Sequence, residues 1–140
     1  MSQKKVIGRR EIVSILDLEL FDLDAKVDTG ADSNSLHCDD IYIDDENFVH
    51  FTLLDKVHPA YHTKKMKMPL HKLKRVKSSN GTVQLRASIK VDILFFGKKY
   101  KTVISLTDRS DMKYPMLIGR KFLKDRFLVD VSKKNLTKGK

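Results

Sequence analysis

The chain has 140 residues, 41% of them hydrophobic and 33% charged, with a formal net charge of +10. That length suits one domain able to bury its own core, and the composition excludes a disordered chain. No apolar run approaches the roughly 20 residues of a membrane span, and no apolar stretch follows the charged start Met1-Ser2-Gln3-Lys4-Lys5 as a secretory signal requires. One domain over residues 1–140 is expected, with its core at about 7–131 and a basic tail at 132–140. Cys38 is the only cysteine, so no intrachain disulfide can form. Its solitude suits a reducing compartment, and the expected location is cytoplasmic with no membrane partner.

In chain order, Ile12 to Leu16 and Leu23 to Val27 read as the first two strands. Ile41 to Ile43 and Phe48 to Leu54 flank Asp44-Asp45-Glu46-Asn47 as a hairpin. Asn80-Gly81 is a second hairpin signal, because both central positions of that turn favour positive φ. It joins a strand ending near Lys77 to the strongest pattern in the chain. There Val83, Leu85, Ala87, Ile89, Val91 and Ile93 alternate with polar residues, the period of a half-buried strand. Gly97-Lys98 predicts a turn and Tyr100 to Leu106 the returning strand. A short helix from about Gly119 to Asp125 and a strand over Phe127 to Val131 complete an all-β fold with one short C-terminal helix.

The residues that carry chemistry are Ala25-Lys26-Val27-Asp28-Thr29-Gly30-Ala31-Asp32-Ser33 and, about ninety residues later, Met116-Leu117-Ile118-Gly119-Arg120. A carboxylate on a tight glycine turn can approach a scissile bond closely. Two such carboxyls side by side share a proton, so one takes a proton from water while the other donates to the peptide carbonyl. Only one Asp-Thr-Gly is present. A two-fold axis supplies the second copy, because it brings the same residue of each subunit together.

These motifs resemble the retropepsin class of aspartic peptidases, which implies an acid-protease half-barrel active as a homodimer. The order also fits that class: aspartate turn, flap hairpin, second hairpin, apolar-Gly-Arg strand, helix, terminal strand. The resemblance implies Asp28 as the catalytic residue. Thr29 would brace the two turns across the axis, Gly30 would present backbone to substrate, Ala31 and Gly119 would support the site, and Asp32 would pair with Arg120. Ser79, Asn80 and Gly81 would form the flap tip. Gly8-Arg9-Arg10-Glu11, Ser35-Leu36-His37, Leu106-Thr107-Asp108-Arg109, Met112 and Arg126-Phe127-Leu128-Val129-Asp130 are similar to a bacterial subgroup over roughly residues 7 to 131. That subgroup includes RimB-type proteins linked to ribosomal-protein glutamate ligation and is often labelled ATP-dependent zinc protease. The chain differs from it at Arg9, where the family often has an aromatic residue, and its flap tip is less glycine-rich than viral flaps.

Neither half of that label finds its motif. His37, His50, His58, His62 and His71 include no His-Glu-x-x-His. Pro59 separates His58 from His62, and adjacent His37 and Cys38 alternate across a strand. No Gly-rich phosphate loop with Lys-Ser or Lys-Thr occurs. No metal and no cofactor are expected.

Charge gives the one clue to substrate. Between Asp55 and Asp92 there is no acidic residue but ten lysines and arginines, while outside that window 18 basic residues balance 18 acidic ones. The excess falls on and before the flap hairpin, where it would attract an acidic or ribosome-associated protein substrate, or RNA. Three functions follow. The first is a homodimeric aspartic endopeptidase. The second is a silent retropepsin-like module that binds a glutamate ligase. The third is a ribosome- or RNA-binding β domain.

Overall fold

The computed structural model describes residues 4–53, 65–77, 80–108 and 113–137. The strands follow as β1 (Lys5–Ile7), β2 (Arg10–Ile15), β3 (Leu20–Val27), β4 (Asn34–Ile43), β5 (Phe48–Leu53) and β6 (Lys65–Pro69). Then come β7 (Lys72–Lys77), β8 (Val83–Phe95), β9 (Lys98–Thr107), β10 (Met116–Ile118) and β11 (Phe127–Val129). The four residues of α1 (Arg120–Leu123) form the one α-helix among the described residues, and none is long and apolar enough to cross a membrane.

Six strands close a barrel in the order β10, β3, β2, β8, β9, β4, with β10 pairing back onto β4. Closure leaves these strands no open edge. It also explains why both neighbours of β10 matter: Met116 to Ile118 runs parallel to Ala25 to Val27 and antiparallel to Ser35 and Leu36. Strands β5 and β6 extend outward from β4, and β7 pairs with β8 alone. The alternating side chains of β8 and β9 fill the interior, where Ile89, Val91, Ile93, Phe95, Ile104 and Leu106 are buried. Phe95, Tyr100, Phe122 and Phe127 pack edge to face at 5.2–6.1 Å, apart from the more nearly stacked Phe122–Phe127 pair, and fasten α1 and β11 to the barrel.

Several elements differ from the sequence reading. The β8–β9 turn sits one residue earlier, at Phe96-Gly97, with φ of 55° and 72°. Two positive φ values give a two-residue turn whose twist matches the strands, and Phe96 adopts one despite being bulky. The Asn80-Gly81 hairpin is present but looser, since Lys77 pairs with Val83 across residues 78–82. Gly81 has φ of 87°, and Asn80 Oδ1 accepts the Thr82 N–H at 3.1 Å. The period of two in β8 buries its apolar face only from Ala87 onward. Val83 and Leu85 are 47% and 60% exposed, because this half of the strand leaves the barrel as a two-stranded arm with β7. The terminal strand stops at Val129, where Asp130 turns the chain by accepting bonds from the Ser132 N–H and hydroxyl. Those bonds hold the Asp130 carboxyl below its ordinary value.

Residues 133–137, read from sequence as a basic tail, pack against β2. Glu11 is fully buried, and its carboxylate accepts the Gly8 N–H at 2.6 Å and the Thr137 N–H and hydroxyl at 2.8 and 2.9 Å. Arg9 N–H donates to Lys133 O and Asn135 N–H to Arg10 O. Three donors make burial of this carboxylate tolerable. The arrangement also explains Gly8, where a Cβ would stand 2.3 Å from Lys133 O. Strands β1 and β11 pair in parallel beside this lock.

Candidate active site

Asp28 follows β3 directly, and its backbone is fixed before its side chain is considered. The Asp28 N–H donates to Ile118 O at 2.9 Å, and the Ala31 N–H donates to Asp28 O at 3.1 Å to close the turn. The carboxylate Oδ1 accepts the Gly30 N–H at 3.0 Å. A Cβ on Gly30 would lie 3.2 Å from that oxygen, so glycine leaves the carboxylate room to approach a ligand. Asp28 is half-buried, while Thr29 and Gly30 are exposed at the tip.

The second motif braces this turn from behind. Gly119 passes so close to Ser33 that a Cβ would meet Ser33 O at 2.5 Å, a clash with backbone rather than with a yielding side chain. Arg120 N–H donates to Ala31 O at 2.9 Å, and Lys121 N–H to Asp32 O at 3.0 Å. The Arg120 guanidinium donates to the carbonyls of Thr29 and Gly30, both at 3.1 Å, and reaches Asp32 Oδ1 at 3.4 Å. Asp32 also lies 3.3 Å from Lys121 Nζ. These charges are more than half exposed, and such pairs contribute at most about 1 kcal/mol. The two carbonyl bonds therefore matter more than the ion pair, and a planar fork suits them.

Asn34, which sequence reasoning missed, ties the assembly together. It is buried, its Oδ1 accepts the Gly119 N–H at 3.0 Å, and its Nδ2 donates to Thr102 Oγ1 at 3.1 Å. One amide thus joins the exit of the Asp28 turn, the Gly119 strand and β9. Nothing in the mixed polar and apolar sequence of β4 singles it out.

Asp28, Thr29, Gly30, Ala31, Asp32, Gly119 and Arg120 are thus brought to one place. Of the flap-tip residues, Asn80 and Gly81 cap the β7–β8 arm, and Ser79 lies outside the described residues. So do Lys56, His58, His62, Lys64, Arg109 and Met112. Beside the turn, Leu123, Phe127, Leu128 and Val129, with Thr29 and the charged Asp32, Arg120, Lys121 and Lys124, line an open groove of about 580 Å³.

Zinc does not fit the residues described. No three of their His, Cys, Asp and Glu side chains are grouped to hold a metal ion. His37 and Cys38 are both fully buried, and His50 is engaged by Asp44 at 2.8 Å with Tyr42 stacked on its ring at 4.5 Å. The hydrogen bond from His50, with the N–H groups of Phe48 and Glu46, lowers the Asp44 carboxyl to about 2.

Comparison with known proteins places these features in context. Residues 6–140 match the model of a family described as retropepsin-like aspartic endopeptidase RimB. A protein from Desulfotalea psychrophila named "Probable alpha-L-glutamate ligase" is 29% identical over 91% of this chain and 28% of its own length. One of the same name from Shewanella halifaxensis is 31% identical over 94% of this chain and 30% of its own length. The chain therefore spans less than a third of these curated relatives. A crystal structure of a Legionella pneumophila protein of unknown function (DUF785) superposes with a TM-score of 0.76 at 27% identity, covering 97% of this chain and 100% of that one.

Proposed function

The chain belongs to the RimB-like family of retropepsin-like aspartic endopeptidases, and from that premise we propose that it is a homodimeric peptidase with one Asp28 from each subunit in a single dyad. The observation that carries this reading is the Asp28 turn itself: a half-buried carboxylate at the tip of a turn braced on Ile118, Gly119 and Arg120. One turn supplies one carboxylate. The two-fold partner supplies the other, and the pair holds one proton between them.

In this reaction one Asp28 takes a proton from water as its oxygen attacks the peptide carbonyl. The other Asp28, protonated, donates to the carbonyl oxygen, and the resulting gem-diol collapses with proton transfer to the leaving amine. Thr29 braces the two turns across the axis, and Gly30 and Ala31 offer backbone to the peptide. Arg120 keeps the turn rigid through its carbonyl bonds and its contact with Asp32. The arm carrying Asn80 and Gly81 closes over the cleft, with exposed Leu73, Val83 and Leu85 on one face to cover the bound chain. The groove beside Thr29 and Leu128 receives the second subunit. The lysine-rich arm favours an acidic protein substrate.

A second reading is favoured by the names and lengths of the relatives. A chain matching under a third of proteins named as glutamate ligases can serve as a module that binds such a ligase. One substitution separates the two. Asp28→Asn keeps the shape of the turn and removes the acid, so peptide hydrolysis should fall by about a thousandfold or more while the melting curve stays in place. Unchanged turnover in that variant would refute the peptidase reading.

A further inference from the structure

The molecule has a second concave feature, on the opposite face of the arm from Leu85. Lys72 and Lys74 of β7, Arg86 of β8, Lys101 of β9, and Lys121 and Arg126 around α1 converge on a recess of about 280 Å³. His71 joins them, Ser88 and Thr102 add hydroxyls, and no carboxylate lines the recess. Asp28, Thr29 and Gly30 are not part of it, while Ser33 and Asn34 at the exit of their turn also line it.

Such a concentration of like charge is costly unless something compensates it. Lys74 lies directly opposite Arg86 in the antiparallel register, a pairing that destabilises a sheet when both residues are cationic. Asp92 and Asp32 reach Lys101 and Lys121 from outside, at 3.5 and 3.3 Å. Lys72, Lys74 and Arg86 have no carboxylate partner among the described residues. Arg86 Nε is also buried without a hydrogen-bond partner among them, which is uncommon for so strong a donor. Arg126 is held in place by its bond to Phe122 O at 2.8 Å and by the Phe122 and Tyr100 rings.

We propose that this recess is a phosphate-binding site. Charge stoichiometry decides between anions. A carboxylate brings one charge and two oxygens in a plane. A phosphate group brings about −1.5 to −2 and three acceptor oxygens in a tetrahedral array, which matches guanidinium, ammonium and hydroxyl donors arriving from three elements. Two linked phosphates match it better still. The phosphate belongs either to a free polyphosphate compound or to a nucleic-acid backbone, and the chemistry at the recess is the same.

Calorimetric titration of the full chain with pyrophosphate and with inorganic phosphate at low salt tests this without reference to hydrolysis. Pyrophosphate should bind more tightly than phosphate, and Arg86→Gln and Lys74→Gln should each weaken it by about tenfold. Lys90→Gln removes the same charge from β8 outside the recess and should have little effect. The two recess variants report independently should one of them fail to fold. A short RNA duplex displaced by pyrophosphate would identify a nucleic-acid backbone as the source. A duplex that does not compete would identify a free phosphate compound. Equal weakening by Lys90→Gln would reduce the effect to net charge and overturn the site. So would unchanged affinity in both recess variants.

Discussion

The Asp28 turn and the β7–β8 arm are built on opposite terms. The turn is short, and its neighbours on both sides are backbone: Ile118 O, Ala31 O and the close pass of Gly119 against Ser33. The arm leaves the barrel with one strand partner, with Lys72, Lys74 and Arg86 on one face and Leu73, Val83 and Leu85 beside Arg75 and Lys77 on the other. Under the proposed function, rigidity is concentrated where chemistry needs fixed geometry, and adaptability where a ligand is admitted and released. Substitutions in the backbone bracing of the turn should therefore act on fold and turnover together, and substitutions of the arm's exposed charges on capture alone.

Gly119→Ala should have the largest effect. Its Cβ would be placed 2.5 Å from Ser33 O, and backbone must shift to relieve it. A loss of about 3 kcal/mol in urea unfolding is expected, together with loss of turnover. Full stability in that variant would mean that the close pass does not hold the turn.

Leu128→Asp comes next and separates assembly from folding. Leu128 is 54% exposed in the single chain, so the charge should leave the monomer folded. If the groove beside the turn receives a second copy, light scattering should show monomer and peptide hydrolysis should fall with it. Truncation from Phe127 is a poorer test, because Phe127 is buried among aromatics and Thr137 satisfies Glu11.

On the arm, Arg75→Gln with Lys77→Gln should change stability by no more than about 0.5 kcal/mol. Capture of glutamate-rich peptides should weaken and lose its salt dependence, since exposed charges act over about 8 Å at physiological salt. Turnover of a neutral peptide should hardly move, and equal losses on both peptides would place these side chains in the support of the arm.

The smallest effect should be at the β4–β5 hairpin. Asp44 titrates at about 2 instead of 3.8, so its contribution is complete above about pH 4 and is lost as pH falls through about 2. Asp44→Asn should lower the melting temperature at neutral pH, and the gap from the unsubstituted chain should close as pH approaches 2. A gap independent of pH would show that the ionised form is not what matters there.

What could be read from the sequence was local. Asp28-Thr29-Gly30 and Gly119-Arg120 are visible because a turn and a close pass both leave glycine in the sequence. The alternation in β8 gave a strand for the same reason, but periodicity reports which side chains share a face, not whether that face is covered. Val83 and Leu85 follow the pattern and still face solvent, since no strand lies across them. Phe96 at positive φ defeats any turn rule based on residue type. Asn34 and Glu11 are single polar residues whose partners are 68 and 126 positions away, and no local pattern announces them.

The Glu11 lock also sets an order of events during synthesis. Glu11 lies in β2, and two of its three donors come from Thr137, at a sequence separation of 126. Until that residue has left the ribosome, burying Glu11 would strand a charge in an apolar setting, so the first strands cannot settle while the last are being made. Contacts of such separation are slow to form. A domain built this way completes its barrel only once Thr137 is in place against Glu11.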